Sequence, residues 1–100
     1  MAIIKRVTVS PSTRKDKKRM ARFYDGNGRR VRTTHFGAAG YADFTVHRDP
    51  RRRAAYLARH SKNEDWNDFT SPGSLARYVL WNRPTLASSV RDFKRRFGLR

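Results

Sequence analysis

Clusters of arginine and lysine are the residues of this sequence best suited to chemistry with another molecule. Guanidinium and ammonium groups bind phosphate oxygens, and the planar guanidinium also matches the edge of a guanine base. The clusters fall in the stretch after the first predicted strand, in a predicted hairpin and in a predicted helix. The candidate DNA-binding residues are Arg14, Lys15, Lys17, Lys18, Arg19, Arg22, Arg29, Arg30, Arg32, Arg51, Arg52, Arg53 and Arg59.

Each cluster also has a purely structural interpretation. The arginines at 51–53 open a predicted helix, where the helix dipole disfavours cations unless an anionic partner is present. The alternative for them is a solvated helix face. The basic residues at 94–96 lie in the last turn of another predicted helix, where cations are favourable without any ligand. The flexible stretch at 14–19 is the best candidate for phosphate contact, with a loop kept soluble by charge as its alternative.

Metal and catalytic chemistry have weaker signals in the sequence. The three histidines lack the paired spacing of zinc motifs, and the chain has no cysteine to complete such a site. Glu64, Asp65 and Asp68 form the one acidic cluster that a metal-dependent nuclease would need. We expect these carboxylates to pair with arginines or to cap a turn. The sequence therefore predicts no metal, no cofactor and no catalytic residue, and a nuclease is kept as an alternative.

Aromatic side chains offer a second way to bind nucleic acid, because a base can stack on an aromatic ring. Tyr24, Tyr41 and Tyr56 are the least obviously buried aromatic residues of the sequence. Trp66 and Trp81 are predicted to be buried anchors, since large aromatic rings in a small chain usually belong to its core.

The elements that must position these groups form an α+β pattern, with N-terminal strands followed by about three helices. β-Branched residues predict a first strand over 2–9, and a polar loop is predicted over 10–16. Residues 17–24 and 29–36 form a predicted hairpin around Asp25-Gly26-Asn27-Gly28, whose residues tolerate positive φ. Small residues at 37–40 indicate a hinge, and 41–46 is predicted to be extended.

Three helices are predicted after the hairpin, each from its capping residues. Asp49 and Pro50 begin a helix over 51–62, and Ser71 with Pro72 begins a helix that ends near residue 81. Thr85 and Gly98 delimit the last helix. The apolar stripe predicted for the first of these helices is Ala54, Leu57, Ala58 and Ser61, and its predicted polar face is Arg52, Tyr56 and Arg59.

Composition restricts the class of protein. There are 24 Lys and Arg against 8 Asp and Glu, which gives a formal net charge of +16 in 100 residues. Each half of the chain carries the same balance, so the charge belongs to the whole fold and not to a tail. Such a surface favours a polyanion as partner, because binding releases counterions. One domain over 1–100 is predicted, soluble and intracellular, with no membrane span.

Several motifs in the later part of the sequence carry a resemblance to a known family. They are Gly37-Ala38-Ala39-Gly40-Tyr41-Ala42-Asp43-Phe44-Thr45, His47, Arg59-His60, Asn63-Glu64-Asp65-Trp66, Leu80-Trp81-Asn82-Arg83-Pro84-Thr85-Leu86 and Arg91-Asp92-Phe93. With these motifs the chain resembles small basic proteins of giant nucleocytoplasmic DNA viruses, marseilleviruses among them. The first 35 residues lie outside the motifs.

The resemblance implies a viral setting and no recognised enzymatic activity. It implies packaged DNA, or DNA of the cytoplasmic viral factory, as partner, and the virion, the factory or the host nucleus as location. Together with the charge, it predicts a DNA-binding protein without sequence specificity, active in genome packaging or factory organisation. The alternative is an RNA-binding or ribosomal-type structural protein. A homodimer, including one that exchanges segments through the hinge at 37–40, is a further hypothesis.

Overall fold

The computed structural model describes residues 3–100 and begins with a three-stranded antiparallel sheet. Its strands are β1 (Ile4–Pro11), β2 (Lys17–Asp25) and β3 (Arg30–Ala38), arranged in the order β1-β2-β3. The predicted hairpin between β2 and β3 is confirmed. The Asp25 carboxylate accepts the backbone N–H groups of Asn27 and Arg29, and Gly28 has a φ of 80°. These local bonds explain why four residues were enough to indicate the turn.

The first strand lies later in the chain than the sequence predicts. Residue 2, the predicted start, lies outside the described residues. Ser10 and Pro11 were assigned to the loop but belong to β1, where they pair with Met20 and Arg19 of β2. The edge position of β1 accommodates a proline, because its missing N–H costs no hydrogen bond to β2 there. The loop between β1 and β2 is therefore shorter than the predicted one.

The other edge of β1 is partly covered by residue 100. The N–H of Arg100 donates to the carbonyl of Lys5, and the N–H of Val7 donates to the carbonyl of Arg100, both at 2.9 Å. Leu99 is buried beside this contact. The two bonds satisfy backbone groups that an open sheet edge would leave unpaired.

Four helices follow the sheet, which confirms the predicted α+β class. They are α1 (Phe44–His47), α2 (Pro50–His60), α3 (Pro72–Leu75) and α4 (Leu86–Phe97), and a π-helical segment (Ala76–Leu80) continues α3. Asp49, Ser71 and Thr85 cap the three predicted helices with their side chains. Gly98 ends α4 with a φ of 66°. No helix within residues 3–100 is long and apolar enough to cross a membrane.

The extended segment predicted over 41–46 is wrong, because residues 44–47 form the short helix α1. The carboxylate of Asp43 accepts the N–H and the hydroxyl of Thr45, and so acts as an N-cap. This capping bond outweighs the extended preference of the β-branched residues Thr45 and Val46. The same carboxylate holds Lys18 at 2.6 Å and ties α1 to β2.

The core lies between one face of the sheet and the helices. Val7, Ala21, Phe23 and Phe36 project from alternate strand positions and pack against buried residues of the helical half. Those residues are Leu75, Ala76, Tyr78, Val79, Leu80, Phe93 and Leu99. Because side chains alternate along a strand, the neighbouring residues of β1 and β2 form the opposite face of the sheet.

Candidate nucleic-acid interface

The face of the sheet that points away from the core, here called the outer face, presents arginines and hydroxyl groups. Thr8 of β1 and Thr33 of β3 both pair with Arg22 of β2, so the three side chains share it. Arg6 pairs with Tyr24, and its guanidinium lies 3.9 Å from the centre of the Tyr24 ring. The Nε of Arg22 is buried and has no hydrogen-bond partner in the described part of the chain. Arg6 was not among the candidate DNA-binding residues, although a basic residue in a predicted strand could have been recognised as one that faces solvent.

The end of the hairpin carries two cations that are free to meet a ligand. Arg29 and Arg30 are exposed, and their side chains make no hydrogen bond or ion pair within residues 3–100. Arg32, two residues further along β3, differs from them because its guanidinium donates to the Thr70 hydroxyl at 2.8 Å. Of the three predicted contact residues on the hairpin, Arg29 and Arg30 are therefore free, whereas Arg32 links the sheet to the helical half.

Two of the five cations predicted around the first loop are engaged within the chain. Arg14 pairs with Asp16 at 2.8 Å, and its hydrogen bond lowers the pKa of that exposed carboxyl. Lys18 pairs with the buried Asp43. Lys17 and Arg19 are half-buried, and Lys15 is exposed. This loop is therefore less open for contact with phosphate than its composition indicates.

Helix α2 holds three exposed arginines without a partner among the described residues, Arg51, Arg52 and Arg59. Arg53 differs from them, since its Nε donates to the carbonyl of Trp81 at 3.0 Å. Its guanidinium also lies 5.7 Å from the centre of the Phe44 ring. The run at 51–53 thus contains two free cations and one that anchors the helix.

The face of α2 that packs on the protein is shifted by one residue from the predicted stripe, because its half-buried residues are Arg53, Tyr56, Leu57 and His60. Ala54 and Ala58, from the predicted apolar stripe, are exposed, whereas Tyr56 stacks on Trp81 with ring centres 4.2 Å apart and planes within 3°. The His60 ring lies 4.1 Å from the same tyrosine. The prediction is wrong for Ala54, Ala58 and Tyr56, because stacking two aromatic rings removes more apolar surface from water than covering two alanine methyl groups. Leu57 is half-buried, and Arg52 and Arg59 are exposed, as predicted.

Neither tryptophan is fully buried, although both pack against the core. The guanidinium of Arg77 lies 4.1 Å from the centre of the Trp66 ring. Trp81 follows the π-helical segment, and its backbone N–H donates to the carbonyl of Ala76. The wider turn places the Trp81 ring against Tyr56. Trp66 therefore packs on Arg77 and Trp81 packs on Tyr56, and neither ring lies at the centre of the core.

The arginines of the C-terminal region surround one buried carboxylate. Asp92 accepts hydrogen bonds from Asn82 at 2.6 Å and from Arg95 at 2.9 Å, and it also pairs with Arg83 and Arg96 at 3.4 Å. Burial alone raises the pKa of Asp92, but these bonds and the charge of Arg96 outweigh it and lower the pKa to about 2. Sequence analysis missed this cluster. The i,i+3 and i,i+4 spacing on α4 was the available signal.

The acidic cluster at 64–68 serves the local backbone. Asp65 accepts the N–H of Asn67, and Asp68 accepts the N–H and hydroxyl of Thr70. Glu64 lies 4.0 Å from His60. Capping, and not pairing with arginine, is thus the role that the structure gives Asp65 and Asp68. In the part of the chain that the structure describes, no three His, Asp or Glu side chains are grouped as metal ligands.

A cleft of about 680 Å³ separates α2 from the base of the hairpin and from the π-helical segment. We call it the α2 cleft, and its characteristic lining residues are Tyr41, Arg52, Tyr56, Arg59, Glu64 and Trp81. Four of the motif segments that carry the resemblance, at 37–45, 59–60, 63–66 and 80–86, contribute residues to this lining. Residues far apart in the sequence therefore meet at one opening.

Comparison with known proteins identifies the family. A model described as "Family of unknown function (DUF5754)" matches residues 7–60, which is more than half of the chain, so the protein belongs to this family. The match includes the larger part of β1 and all of β2, β3, α1 and α2, and thus extends into the N-terminal region that the viral motifs do not reach. No curated protein and no solved structure matches the chain. The resemblance to giant-virus proteins stays a prediction.

Proposed function

We propose that this protein binds double-stranded DNA without sequence specificity, through contacts of arginine and lysine with phosphates. The observation that carries the proposal is a set of exposed cations with no partner within residues 3–100. Among the predicted contact residues, the set consists of Lys15, Arg29, Arg30, Arg51, Arg52 and Arg59, and Lys5, Lys62, Arg91 and Arg100 are exposed without such a partner as well. Such groups repel one another on a chain of net charge +16, and a polyanion relieves the repulsion.

Five of the predicted contact residues in this set lie in two regions that are separated along the hairpin. Arg29 and Arg30 lie at its turn, whereas α2 faces its base, where Lys18 and Gly37 line the α2 cleft. From Lys18 to Asp25, β2 extends for roughly 23 Å at the rise of an antiparallel strand. A DNA duplex carries one charge for about every 1.7 Å of its axis, so one duplex can meet both regions. This arrangement favours phosphate contact over base reading.

A salt titration tests the proposal. Binding of a labelled 30-base-pair duplex is measured by fluorescence anisotropy at several salt concentrations. If about five phosphates are neutralised, the slope of log K against log salt is near −4.5. A second duplex of scrambled sequence should bind with the same affinity. A flat salt response, or no binding at low ionic strength, would overturn the proposal.

RNA is the second candidate partner, and the outer face of the sheet favours it. Thr8, Ser10 and Thr33 place hydroxyl groups beside Arg6 and Arg22, and such groups suit the 2′-hydroxyls of an A-form helix. Competition between duplex DNA and duplex RNA of one sequence separates the two. Stronger competition by RNA would make RNA the partner, whereas weaker competition supports DNA.

The biological setting that we propose rests on the resemblance alone. It is the packaging of a viral genome or the organisation of viral DNA in the factory, with the protein acting by binding and not by catalysis. Incubation of plasmid with the protein and magnesium or manganese ions should leave the plasmid intact. Cleavage that depends on Asp65 or Asp68 would make the protein a nuclease instead.

A further inference from the structure

The α2 cleft has the dimensions of a ligand site and a lining of mixed character. Its volume of about 680 Å³ lies within the usual range for pockets that hold small molecules. One wall is a single face of α2, with Arg52, Ala55, Tyr56 and Arg59 at helical spacing. The opposite wall comes from the segment at 41–43 and the π-helical segment. A flat, partly polar group can therefore enter between two preformed walls.

Aromatic rings are exposed at this opening. Tyr41 is 74% exposed, which makes it the most exposed of the large hydrophobic side chains in the described residues. In the same lining, the rings of Trp81, Tyr56 and His60 form one continuous stack, which covers both faces of Tyr56. Burial and the charge of Glu64 raise the pKa of Tyr56 to about 12. Tyr41 is therefore the ring of this lining that is best suited to stack on a flat aromatic base.

The charged residues of the cleft comprise one neutralised pair, one further acid and two arginines. Lys18 and Asp43 neutralise each other at 2.6 Å. Glu64 is the remaining acid, and its carboxylate can accept hydrogen bonds from the amino groups of a base. Arg52 and Arg59 have no partner among residues 3–100, and they lie about 10.5 Å apart along α2 at 1.5 Å per residue. Their cationic groups are suited to the phosphates on either side of a bound base.

We infer that the α2 cleft binds one unpaired nucleotide of a nucleic acid strand, with its base beside Tyr41 and its phosphates on Arg52 and Arg59. The inference rests on the proposed function, since it assigns that function a second mode of binding. A base within a duplex is stacked and paired, so it cannot enter a cleft of this size without leaving the helix. The protein should therefore hold single-stranded regions by their bases and duplex regions by phosphate alone.

The test compares three probes of equal length. They are a mixed-sequence single strand of 15 nucleotides, an abasic strand of the same charge and the corresponding duplex. Wild type should bind the single strand about tenfold more tightly than the abasic strand, because one base stack contributes that much. Equal affinity for the two strands would overturn the inference. Tight binding of the duplex in that same experiment would leave the proposed function intact, whereas no binding of any probe would overturn both.

Two variants locate the effect in the cleft. Ala55→Leu fills the space beside Tyr56, and Tyr41→Ala removes the exposed ring. Either change should reduce the preference for the base-containing strand to less than about twofold, with duplex binding unchanged. Ala54→Leu is the matched control, because Ala54 is exposed on α2 outside the cleft. The inference is overturned if both cleft variants keep the wild-type preference, or if the control loses it as well.

Discussion

Helices α2 and α4 each carry a run of three basic residues, but the two runs are used differently. The run of α2 opens the helix at 51–53, whereas the run of α4 occupies its last turn at 94–96. No residue of α2 is buried, while α4 buries Ser89, Asp92 and Phe93. Helix α4 is therefore part of the core, and α2 is held at the surface by the Tyr56 stack and by Arg53.

The comparison shows that the number of arginines does not reveal their role. In α4, Arg95 and Arg96 bind Asp92, and their place at the C-terminal end is favoured by the helix dipole. In α2, Arg51 and Arg52 lie at the unfavourable end, where only the capping carboxylate of Asp49 offsets their charge. Cations that bind a carboxylate of the fold are thus distinguished from cations that have no partner in the described residues.

The largest expected effect is on the α4 side of the comparison. Asp92→Ala removes the shared acceptor of Asn82, Arg95 and Arg96, although water can still hydrate the two exposed guanidinium groups. We expect the free energy of unfolding to fall by about 2 kcal/mol, which is the scale of hydrogen bonds to a charged group. Urea denaturation measures it. Asp16→Ala is the control, since its pair with Arg14 is exposed and should contribute little to stability. Equal losses in the two variants would contradict the role given to Asp92.

Acid should weaken the same cluster. The pKa of Asp92 is lowered from 3.8 to about 2, so its carboxylate stabilises the fold above pH 3.8 and loses that effect as the pH falls towards 2. The expected loss between pH 5 and pH 2 is about 2 kcal/mol at 1.36 kcal/mol for each pKa unit. Asp92→Asn should lack this part of the acid response. Parallel acid curves for the variant and wild type would refute the assignment.

Removing three free cations or three engaged cations compares the two kinds directly. Arg51→Ala, Arg52→Ala and Arg59→Ala together reduce the net charge from +16 to +13, as do Arg83→Ala, Arg95→Ala and Arg96→Ala, whose side chains bind Asp92. The α2 variant should lose about tenfold or more in affinity for duplex DNA and lower the salt slope by about 2.7. The variant of the Asp92 cluster should keep most of its affinity and slope but unfold at a lower urea concentration. Equal losses of affinity would mean that only net charge matters.

The smallest expected effect concerns the cap of α2. The carboxylate of Asp49 accepts the N–H groups of Arg51 and Arg52. Asp49→Ala should reduce stability by about 1 kcal/mol and speed hydrogen exchange in α2. Thr85→Ala, at the corresponding position of α4, should reduce stability by a similar amount without changing exchange in α2. An unchanged exchange rate in the Asp49 variant would show that the Tyr56 stack alone fixes the helix.

The elements that sequence analysis predicted correctly depend on residues close together in the chain. The turn of the hairpin needs only Asp25 to Arg29, and the caps Asp49, Ser71 and Thr85 each bond within three residues. The helix at 44–47 was missed even though its signal is equally local, since Asp43 precedes it as a cap. That error came from giving β-branched residues more weight than a capping carboxylate.

Other features depend on contacts between distant segments, and no local pattern revealed them. Tyr56 meets Trp81 only because the chain folds back between α2 and the π-helical segment, so Tyr56 was assigned to the polar face of α2 although it packs on the protein. Arg32 reaches Thr70, and Lys18 reaches Asp43, for the same reason. The α2 cleft is also made of segments from four parts of the sequence.

The sequence by itself determined the excess of positive charge, the hairpin and the start of each main helix, because composition and capping are properties of single residues and near neighbours. Tertiary structure alone decided which cations are engaged and which are free. An arginine is neutralised only where folding brings an acceptor within a few ångströms, as it does for Arg95 at Asp92 and does not for Arg52. The distinction between engaged and free cations is therefore a property of the folded chain.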